Sequence, residues 1–226
     1  MERGACTRSR PSRANMIHLA SKSPRRRLLL DQIGIDYAVV DAPVDEIRRA
    51  GEPPVAFVER MAREKARAGL AALGNARMAP VLAADTAVVL GDRVLGKPRD
   101  TEHAMEMLEA LSGRMHRVIS AVAIVGRSTR GPTATGDRGR PPVIATAGRD
   151  SPRIMTSSTR VWFREISRRE RRAYCASGEP MDKAGAYAIQ GRAATFVARL
   201  DGSYSGVMGL PLFETASLLR EAGIGV

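Results

Sequence analysis

The sequence predicts an α/β protein in which strands and helices alternate along most of the chain. Apolar runs such as MIHLA from Met16 and VLAADTAVVL from Val81 are typical of buried strands. Between such runs, stretches such as PPVAFVERMAREKARAGLAAL from Pro53 carry apolar and small residues at helical spacing. This alternation, which contains no internal repeat, predicts a mixed sheet with helices on its faces.

The first helix is predicted to begin directly after the first strand, at a Ser-Pro pair. Ser23 suits the N-cap and Pro24 suits the first helical position, while Gly34 is a typical C-terminal stop. Leu28, Leu29, Ile33 and their neighbours are expected on its apolar face.

The other elements follow in chain order. We expect an extended run (DYAVVDAPV), a turn with a short strand (GDRVLG), a helix (DTEHAMEMLEALSG), a strand (HRVISAVAIV), another strand (TRVWFREIS), a helix (SRRERRAYCAS), two arms of a short sheet (AGAYAIQG and ATFVARLDG) and a terminal helix (PLFETASLLREAG).

Two segments differ from this pattern. Residues 1–15 are Arg-rich without an apolar core, so we interpret them as a disordered extension or a mis-called start, since Met16 stands directly before the first strand; a transit peptide is the alternative. Residues 126–158 are rich in Gly, Pro, Ser, Thr and Arg and predict a flexible insertion. The remaining part of 16–226 forms one predicted domain.

Charge and composition narrow the possible functions. The net charge is +12, of which residues 1–15 carry +3 and residues 126–158 carry +4, leaving +5 for the rest. Aromatic residues make up 4%, which disfavours a stacking platform for single-stranded nucleic acid. Two cysteines fit a reducing cytosol, and no apolar run approaches the roughly 20 residues of a membrane helix. We therefore expect a cytoplasmic protein without a membrane partner.

The segment Ser21–Arg27 is the first candidate site. A strand that enters a helix through Ser-Lys-Ser-Pro presents free backbone N–H groups and the positive end of the helix dipole, which bind phosphate. The arginines of the first turn oppose this dipole at a cost of about 0.3–1 kcal/mol each. That cost indicates an anionic ligand; a solvated basic face is the alternative.

Three further candidates follow along the chain. Asp85 and Thr86 occur in the apolar run AADTAVVL, where a carboxylate can bind Mg²⁺ or activate water. Lys97 lies in a tight Gly-Lys-Pro turn and can contact phosphate. In the Gly-rich polar stretch SGEPMDKAGAYAIQG, Asp182, Lys183 and Gln190 can face a ligand, and the amide of Gln190 can recognise a base edge. Ordinary turn or surface roles are the alternative for each residue taken singly.

Common catalytic signatures of other classes are missing from the sequence. It contains no Cys/His cluster with zinc spacing, no G-x-x-x-x-G-K-[ST] phosphate loop and no G-x-S-x-G elbow. The last two absences weigh against P-loop enzymes and serine hydrolases.

Taken together, the ordered segments resemble the Maf family of nucleoside triphosphate pyrophosphatases. The resemblance runs through LASKSPRRRLLL, AADTAVVLGDRVLGKPRD, MLEALSGRMHRVISAVAI, VWFREIS, YCASGEPMDKAGAYAIQG and GSYSGVMGLPL, and it covers nearly all of residues 16–226 except the insertion. The forms SPRR and DKAGAYAIQG are similar to the branch that acts on dTTP and UTP. Gly206 departs from the family, which more often has Asn there.

The resemblance implies a Maf/ITPase-like fold of two lobes around a cleft, a homodimer, and hydrolysis between the α- and β-phosphates with Mg²⁺ or Mn²⁺. The implied roles are general base for Asp85; substrate specificity for Arg25, Thr86 and Gln190; phosphate contacts for Ser21, Arg26, Lys65 and Lys97; and metal binding for Glu46 and Asp85. Arg27 has no counterpart and is expected to be solvated.

Two alternatives to dTTP and UTP hydrolysis stay open. One is a close enzymatic alternative: the sister branch, which acts on 7-methyl-GTP, or a broader specificity for modified pyrimidine nucleotides. The other is a basic protein that binds nucleic acid or regulates septum formation, suggested by the Arg-rich insertion. We expect a nucleoside triphosphate, not nucleic acid, as the main ligand.

Overall fold

The computed structural model describes residues 16–74, 79–126 and 151–226 of the chain. The strands are β1 (Met16–Leu19), β2 (Asp36–Val39), β3 (Val81–Leu90), β4 (Arg93–Leu95), β5 (Met115–Val125), β6 (Arg153–Phe163) and β7 (Val197–Asp201). The helices are α1 (Pro24–Gln32), α2 (Pro54–Ala72), α3 (Thr101–Leu111), α4 (Arg168–Cys175), α5 (Tyr204–Met208) and α6 (Leu212–Glu221). Short 3₁₀ helices occur at Glu179–Asp182, Ala184–Ala186 and Arg192–Phe196.

The strands form one mixed sheet, which confirms the predicted α/β class. Their order is β2-β1-β3-β5-β6-β7, and β4 pairs with β3 outside this path. Strand β1 is parallel to both β2 and β3, whereas β3, β5, β6 and β7 pair antiparallel. The parallel part follows from the helical connections α1 and α2, which carry the chain back to the same end of the sheet.

The long strands β3 and β5 serve two lobes. In the first half of β3, Val81 and Ala83 pack in the cluster under α2, while Leu82 and Ala84 pack on the other face with residues of α1 and α6. This alternation is the period of two expected for a strand buried on both faces. Further along β3, Val88 joins a third cluster with residues of α3 and α4. The first two clusters form the first lobe, and the third forms the second lobe.

The helix α1 begins at Pro24 as predicted, and Gly34 follows its end with a φ of 69°. One detail of the prediction is wrong, because Leu28 is 61% exposed. The buried residues of this helix are Leu29 and Leu30, which pack in the cluster with α6. A nine-residue helix with three arginines leaves little periodicity from which to choose the inner face.

Two other predictions need correction. The stretch AGAYAIQG is not a sheet arm: it begins with a 3₁₀ helix, and Gly185 and Ala186 have φ values of 69° and 58°, whereas strand residues have negative φ values. The predicted insertion at 126–158 is too long at its second end, because residues 153–158 belong to β6 and pair with β5. Despite their polar side chains, these residues extend the sheet because the long strand β5 offers hydrogen-bond partners for their backbone N–H and C=O groups. Residues 127–150 of the predicted insertion and residues 1–15 lie outside the described residues.

Candidate active site

The cleft forms where β3 extends beyond its neighbour β1. The β1–β3 pairing ends at Leu19 and Leu82, and β4 joins the same edge of β3 only from Val88. Within the described ranges, the edge of β3 between these two pairings has no strand beside it. The segment after β1 and a loop of the second lobe face this gap and enclose a cleft of about 510 Å³.

The structure brings all of the predicted site residues to this one cleft. Its lining includes Ser21, Arg25, Arg26, Glu46, Lys65, Asp85, Thr86, Lys97 and Gln190. These residues come from separate segments of the chain between 21 and 190, so their common location follows from the fold and not from sequence proximity. The roles assigned to them remain predictions.

The charged centre of the cleft is a lysine between two carboxylates. Asp85 points to the α2 side of β3, where Lys65 of α2 meets it. The Lys65 Nζ atom lies 2.6 Å from Asp85 Oδ1 and 2.5 Å from Glu46 Oε1. The side chains of Lys65 and Asp85 are largely buried, whereas that of Glu46 is half exposed.

This arrangement moves the pKa values of the two carboxyl groups in opposite directions. Burial raises the pKa of Asp85, and the charges of Lys65 and Arg26 with the Lys65 hydrogen bond offset that effect only in part. Burial also acts to raise the pKa of Glu46, but the hydrogen bond and charge of Lys65 and the charges of Lys97 and Arg26 lower it overall. Asp85 is therefore the better proton acceptor of the pair.

The two carboxylates suit a divalent metal ion only together with other ligands. In the part of the chain that the structure describes, no group of three or more His, Cys, Asp or Glu side chains could hold a metal ion. Mg²⁺ is commonly held by one or two carboxylates together with substrate phosphates. Glu46 and Asp85 fit that pattern, because both converge on one cation, Lys65.

The two predicted arginines have different surroundings. Arg26 donates from Nε to the carbonyl of Gly209 at 2.8 Å and from Nη1 to Ser21 Oγ at 3.1 Å. Burial lowers the pKa of Arg26, against the opposing charge of Asp85. Arg25 reaches across the cleft, and its Nη1 lies 3.9 Å from an oxygen of Asp182 in the second lobe. The hydrogen bonds of Arg26 thus connect separate segments within the first lobe, whereas the ion pair of Arg25 connects the first lobe with the second.

Thr86 belongs to a hydrogen-bonded group that sequence reasoning missed. Its hydroxyl lies 2.7 Å from Ser120 Oγ, which donates to the carbonyl of Gly206 at 2.7 Å. Thr86 and Ser120 are cross-strand partners of β3 and β5. A serine within the apolar run HRVISAVAIV is the signal that could have indicated this contact. Thr86 also faces the side of β3 opposite to Asp85, since neighbouring strand residues alternate.

Lys97 and Gln190 stand on the second lobe and are exposed within the cleft. Their two loops are joined by the backbone, because the Gly185 N–H donates to the carbonyl of Gly96 at 3.0 Å. A Cβ atom at Gly185 would lie 2.9 Å from Val88 Cγ1, so glycine permits this close approach. The loop of Lys97, the predicted phosphate contact, is thereby attached to the loop that leads to Gln190, the predicted base contact.

The fold and the site define a mixed α/β protein whose interlobe cleft combines two carboxylates with several cations, an arrangement suited to a metal-bound polyphosphate. The family model described as Maf-like protein matches residues 16–222, and the chain belongs to this family.

Similar proteins span the chain almost completely. A dTTP/UTP pyrophosphatase of Alkalilimnicola ehrlichii is 51% identical over 208 residues, which cover 91% of this chain and 92% of that protein. A dTTP/UTP pyrophosphatase of Nitrosomonas europaea is 49% identical and covers 94% of this chain and 97% of its own length. Among solved structures, a HAM1 protein from Coxiella burnetii matches with a TM-score of 0.43 and 16% identity, covering 91% of this chain and 98% of its own.

Across the described ranges, every helix is too short or too polar to cross a membrane.

Proposed function

We propose that this protein hydrolyses dTTP and UTP between the α- and β-phosphates and releases the nucleoside monophosphate and pyrophosphate. The observation that carries the proposal is the convergence of Asp85, Lys65 and Glu46 on one cleft together with Arg25, Lys97 and Gln190. The names of the relatives described above supply the nucleotides.

In the proposed reaction, Asp85 takes up a proton from the water that attacks the α-phosphorus. The bond from the α-phosphorus to the bridging oxygen breaks, and pyrophosphate leaves with the electron pair of that bond. The raised pKa of Asp85 increases its basicity towards water. Lys65 holds this carboxylate in place through the 2.6 Å contact.

Cations of the cleft bind the triphosphate and stabilise the charge that develops on the leaving pyrophosphate. Lys97 and Arg26 approach from the two lobes, so both lobes would contribute to this binding. Glu46 and Asp85 would hold a Mg²⁺ or Mn²⁺ ion together with substrate oxygens. When bound, that ion would supply further charge neutralisation on the phosphates.

The base would be recognised in the second lobe. Thymine and uracil present two carbonyl groups and one N–H, and the amide of Gln190 has the donor and acceptor for such a pattern. Gln190 is exposed within the cleft, and Thr86, which also lines it, lies within hydrogen-bonding distance of Ser120. We extend the proposal to a cytoplasmic location and a homodimeric assembly.

The test is release of pyrophosphate from a panel of dTTP, UTP, dCTP, GTP and 7-methyl-GTP, with Mg²⁺, with Mn²⁺ and with chelator. We expect dTTP and UTP to be the best substrates and chelator to abolish turnover. Asp85→Asn should lower kcat by about 10²–10⁴-fold, whereas Asp201→Asn on β7 should leave it unchanged.

Other outcomes would refute parts of this proposal. Preference for 7-methyl-GTP by a wide margin would assign the chain to the sister branch. Full activity of Asp85→Asn would exclude Asp85 as the base. No pyrophosphate from any nucleotide, together with salt-sensitive binding of nucleic acid, would favour the binding protein considered above.

A further inference from the structure

Gln190 lies in a segment without regular strand or helix, yet base recognition would require a fixed side chain. It stands between the 3₁₀ helices Ala184–Ala186 and Arg192–Phe196 and is exposed to the cleft. A flexible backbone here would let the amide turn towards the donor and acceptor pattern of any base. The contacts that hold residues 187–192 are therefore important for selectivity.

Two side chains outside the cleft lining hold the backbone on both sides of Gln190. The Ala188 N–H donates to Tyr174 Oη at 3.2 Å, and the Arg192 N–H donates to Glu179 Oε2 at 3.2 Å. Tyr174 Oη in turn donates to Glu179 Oε1 at 2.8 Å. The pair thus bridges the residues two positions before and two positions after Gln190.

The sequence around Gln190 leaves room for this pair. A Cβ atom at residue 191 would lie 2.2 Å from Glu179 Oε1, so Gly191 allows the carboxylate to pass beneath the loop. Tyr174 is 3% exposed, and its ring packs edge-on against Phe196 with a centroid distance of 5.3 Å. The hydroxyl is consequently fixed by packing before it contacts the loop.

We infer that Tyr174 and Glu179 are positioning residues that orient Gln190 in the cleft and so set the discrimination between bases. The inference rests on the proposed function, in which Gln190 reads the base. It goes further by assigning selectivity to two side chains that do not themselves line the described cleft. The charged centre around Asp85 and Lys65 belongs to β3 and α2, so this pair acts on base choice more than on bond cleavage.

The first test compares kcat/KM for dTTP with kcat/KM for dCTP, which carries an amino group where thymine has a carbonyl. Tyr174→Phe keeps the ring and loses the hydroxyl, and Glu179→Gln keeps the shape and loses the charge. Each should lower the dTTP/dCTP ratio roughly 10-fold, the effect of one lost hydrogen bond to a charged group. The change should appear mainly in KM for dTTP. Equal loss on both nucleotides would show a merely structural role and overturn the inference.

Two further variants serve as the positive reference and the negative control of this test. Gln190→Ala gives the full loss of discrimination, and Tyr204→Phe, which alters an exposed tyrosine on α5, should leave the ratio unchanged. If Gln190→Ala lowers the ratio while Tyr174→Phe and Glu179→Gln do not, the inference fails and the proposed function stands. If Gln190→Ala leaves the ratio intact, base reading by Gln190 is wrong, and the assignment of selectivity to the pair falls with it.

The second test needs no catalysis. Amide hydrogen exchange of residues 187–192 is measured in the parent protein and in both variants without nucleotide. The Ala188 N–H should exchange roughly 10-fold faster in Tyr174→Phe, which removes its acceptor, and the Arg192 N–H should exchange faster in Glu179→Gln, which weakens its acceptor by removing the charge. Unchanged exchange at both amides would overturn the positioning role even if the enzyme cleaved dTTP as proposed.

Discussion

Lys65 Nζ lies 2.6 Å from Asp85 Oδ1, although the two residues come from different elements and both side chains are largely buried. Helix α2 packs on β3 through small residues, and a Cβ atom at Gly69 of α2 would lie 2.9 Å from Val81 Cγ1. This close packing brings the lysine over the carboxylate. The ion pair is therefore a consequence of the helix–sheet contact, and it offsets in part the rise that burial causes in the pKa of Asp85.

Replacing Lys65 should change the pH at which the enzyme becomes active. The ammonium favours the charged form of Asp85, so Lys65→Met should raise the pKa of Asp85 further above its usual value. Because the proposed base must be deprotonated to accept a proton, the acidic limb of kcat/KM for dTTP should move to higher pH. Arg63→Met, which removes a cation of α2 paired with Glu59, is the control. A limb at the same pH in Lys65→Met and parent would contradict the role of this ion pair.

Arg26 should contribute both to the stability of the fold and to the binding of the nucleotide. Arg26→Lys keeps a positive charge but cannot make the two directed hydrogen bonds to Gly209 and Ser21 at once. We expect the free energy of unfolding to fall by about 1–3 kcal/mol and KM for dTTP to rise. Urea unfolding and steady-state kinetics measure the two effects. Arg27→Lys, at an exposed position of the same helix, should alter neither.

The tight contact at Gly185 offers a test of packing beside the cleft. Gly185→Ala would place a methyl group 2.9 Å from Val88 Cγ1 in a backbone with a φ of 69°. Gly178→Ala has nearly the same φ, 73°, but would meet nothing within 4 Å. Both should lose about 1–2 kcal/mol of stability from the left-handed backbone, and only Gly185→Ala should lose about 1–3 kcal/mol more from overpacking. Equal unfolding midpoints for the two variants would refute the contact.

Much of the fold could be predicted because the relevant signals are local. The Ser23-Pro24 pair and Gly34 bound α1, and the long apolar runs of β3 and β5 have a length and composition typical of strands. The predicted site residues likewise lie together in the cleft, since their segments were recognised as a set. Their roles rest on resemblance and await the experiments above.

The remaining details depend on tertiary contacts that no local pattern contains. Leu28 is exposed because the side of α1 that packs near α6 is the one with Leu29 and Leu30. The three successive arginines give no apolar periodicity from which that side could be predicted. The turn at Gly185 requires knowing that Val88 lies beneath it. Likewise, the hydrogen bond from Thr86 to Ser120 depends on the register of β3 with β5, which joins residues 34 positions apart.

A buried histidine behind the cleft should make stability depend on pH. His116 is 1% exposed, and its Nε2 lies 2.8 Å from the hydroxyl of Tyr187, which lines the cleft. Burial lowers the pKa of His116 from 6.5 to about 4. Between these two values the unfolded chain binds a proton that the folded protein does not, so stability must fall as the pH decreases from 6.5 towards 4.

The variant His116→Gln removes this titration while keeping a group that can contact Tyr187. Urea unfolding at several pH values between 7 and 4 should show that the parent loses up to about 3 kcal/mol more than the variant over this range. His103→Gln, which alters a histidine near the N-terminus of α3, should retain the steep dependence of the parent. If the parent and His116→Gln lost stability in parallel, His116 would have to be protonated equally in the folded and unfolded states. That result would be incompatible with its burial between Phe163 and Tyr187, whose ring centroids lie 4.8 Å and 5.4 Å away.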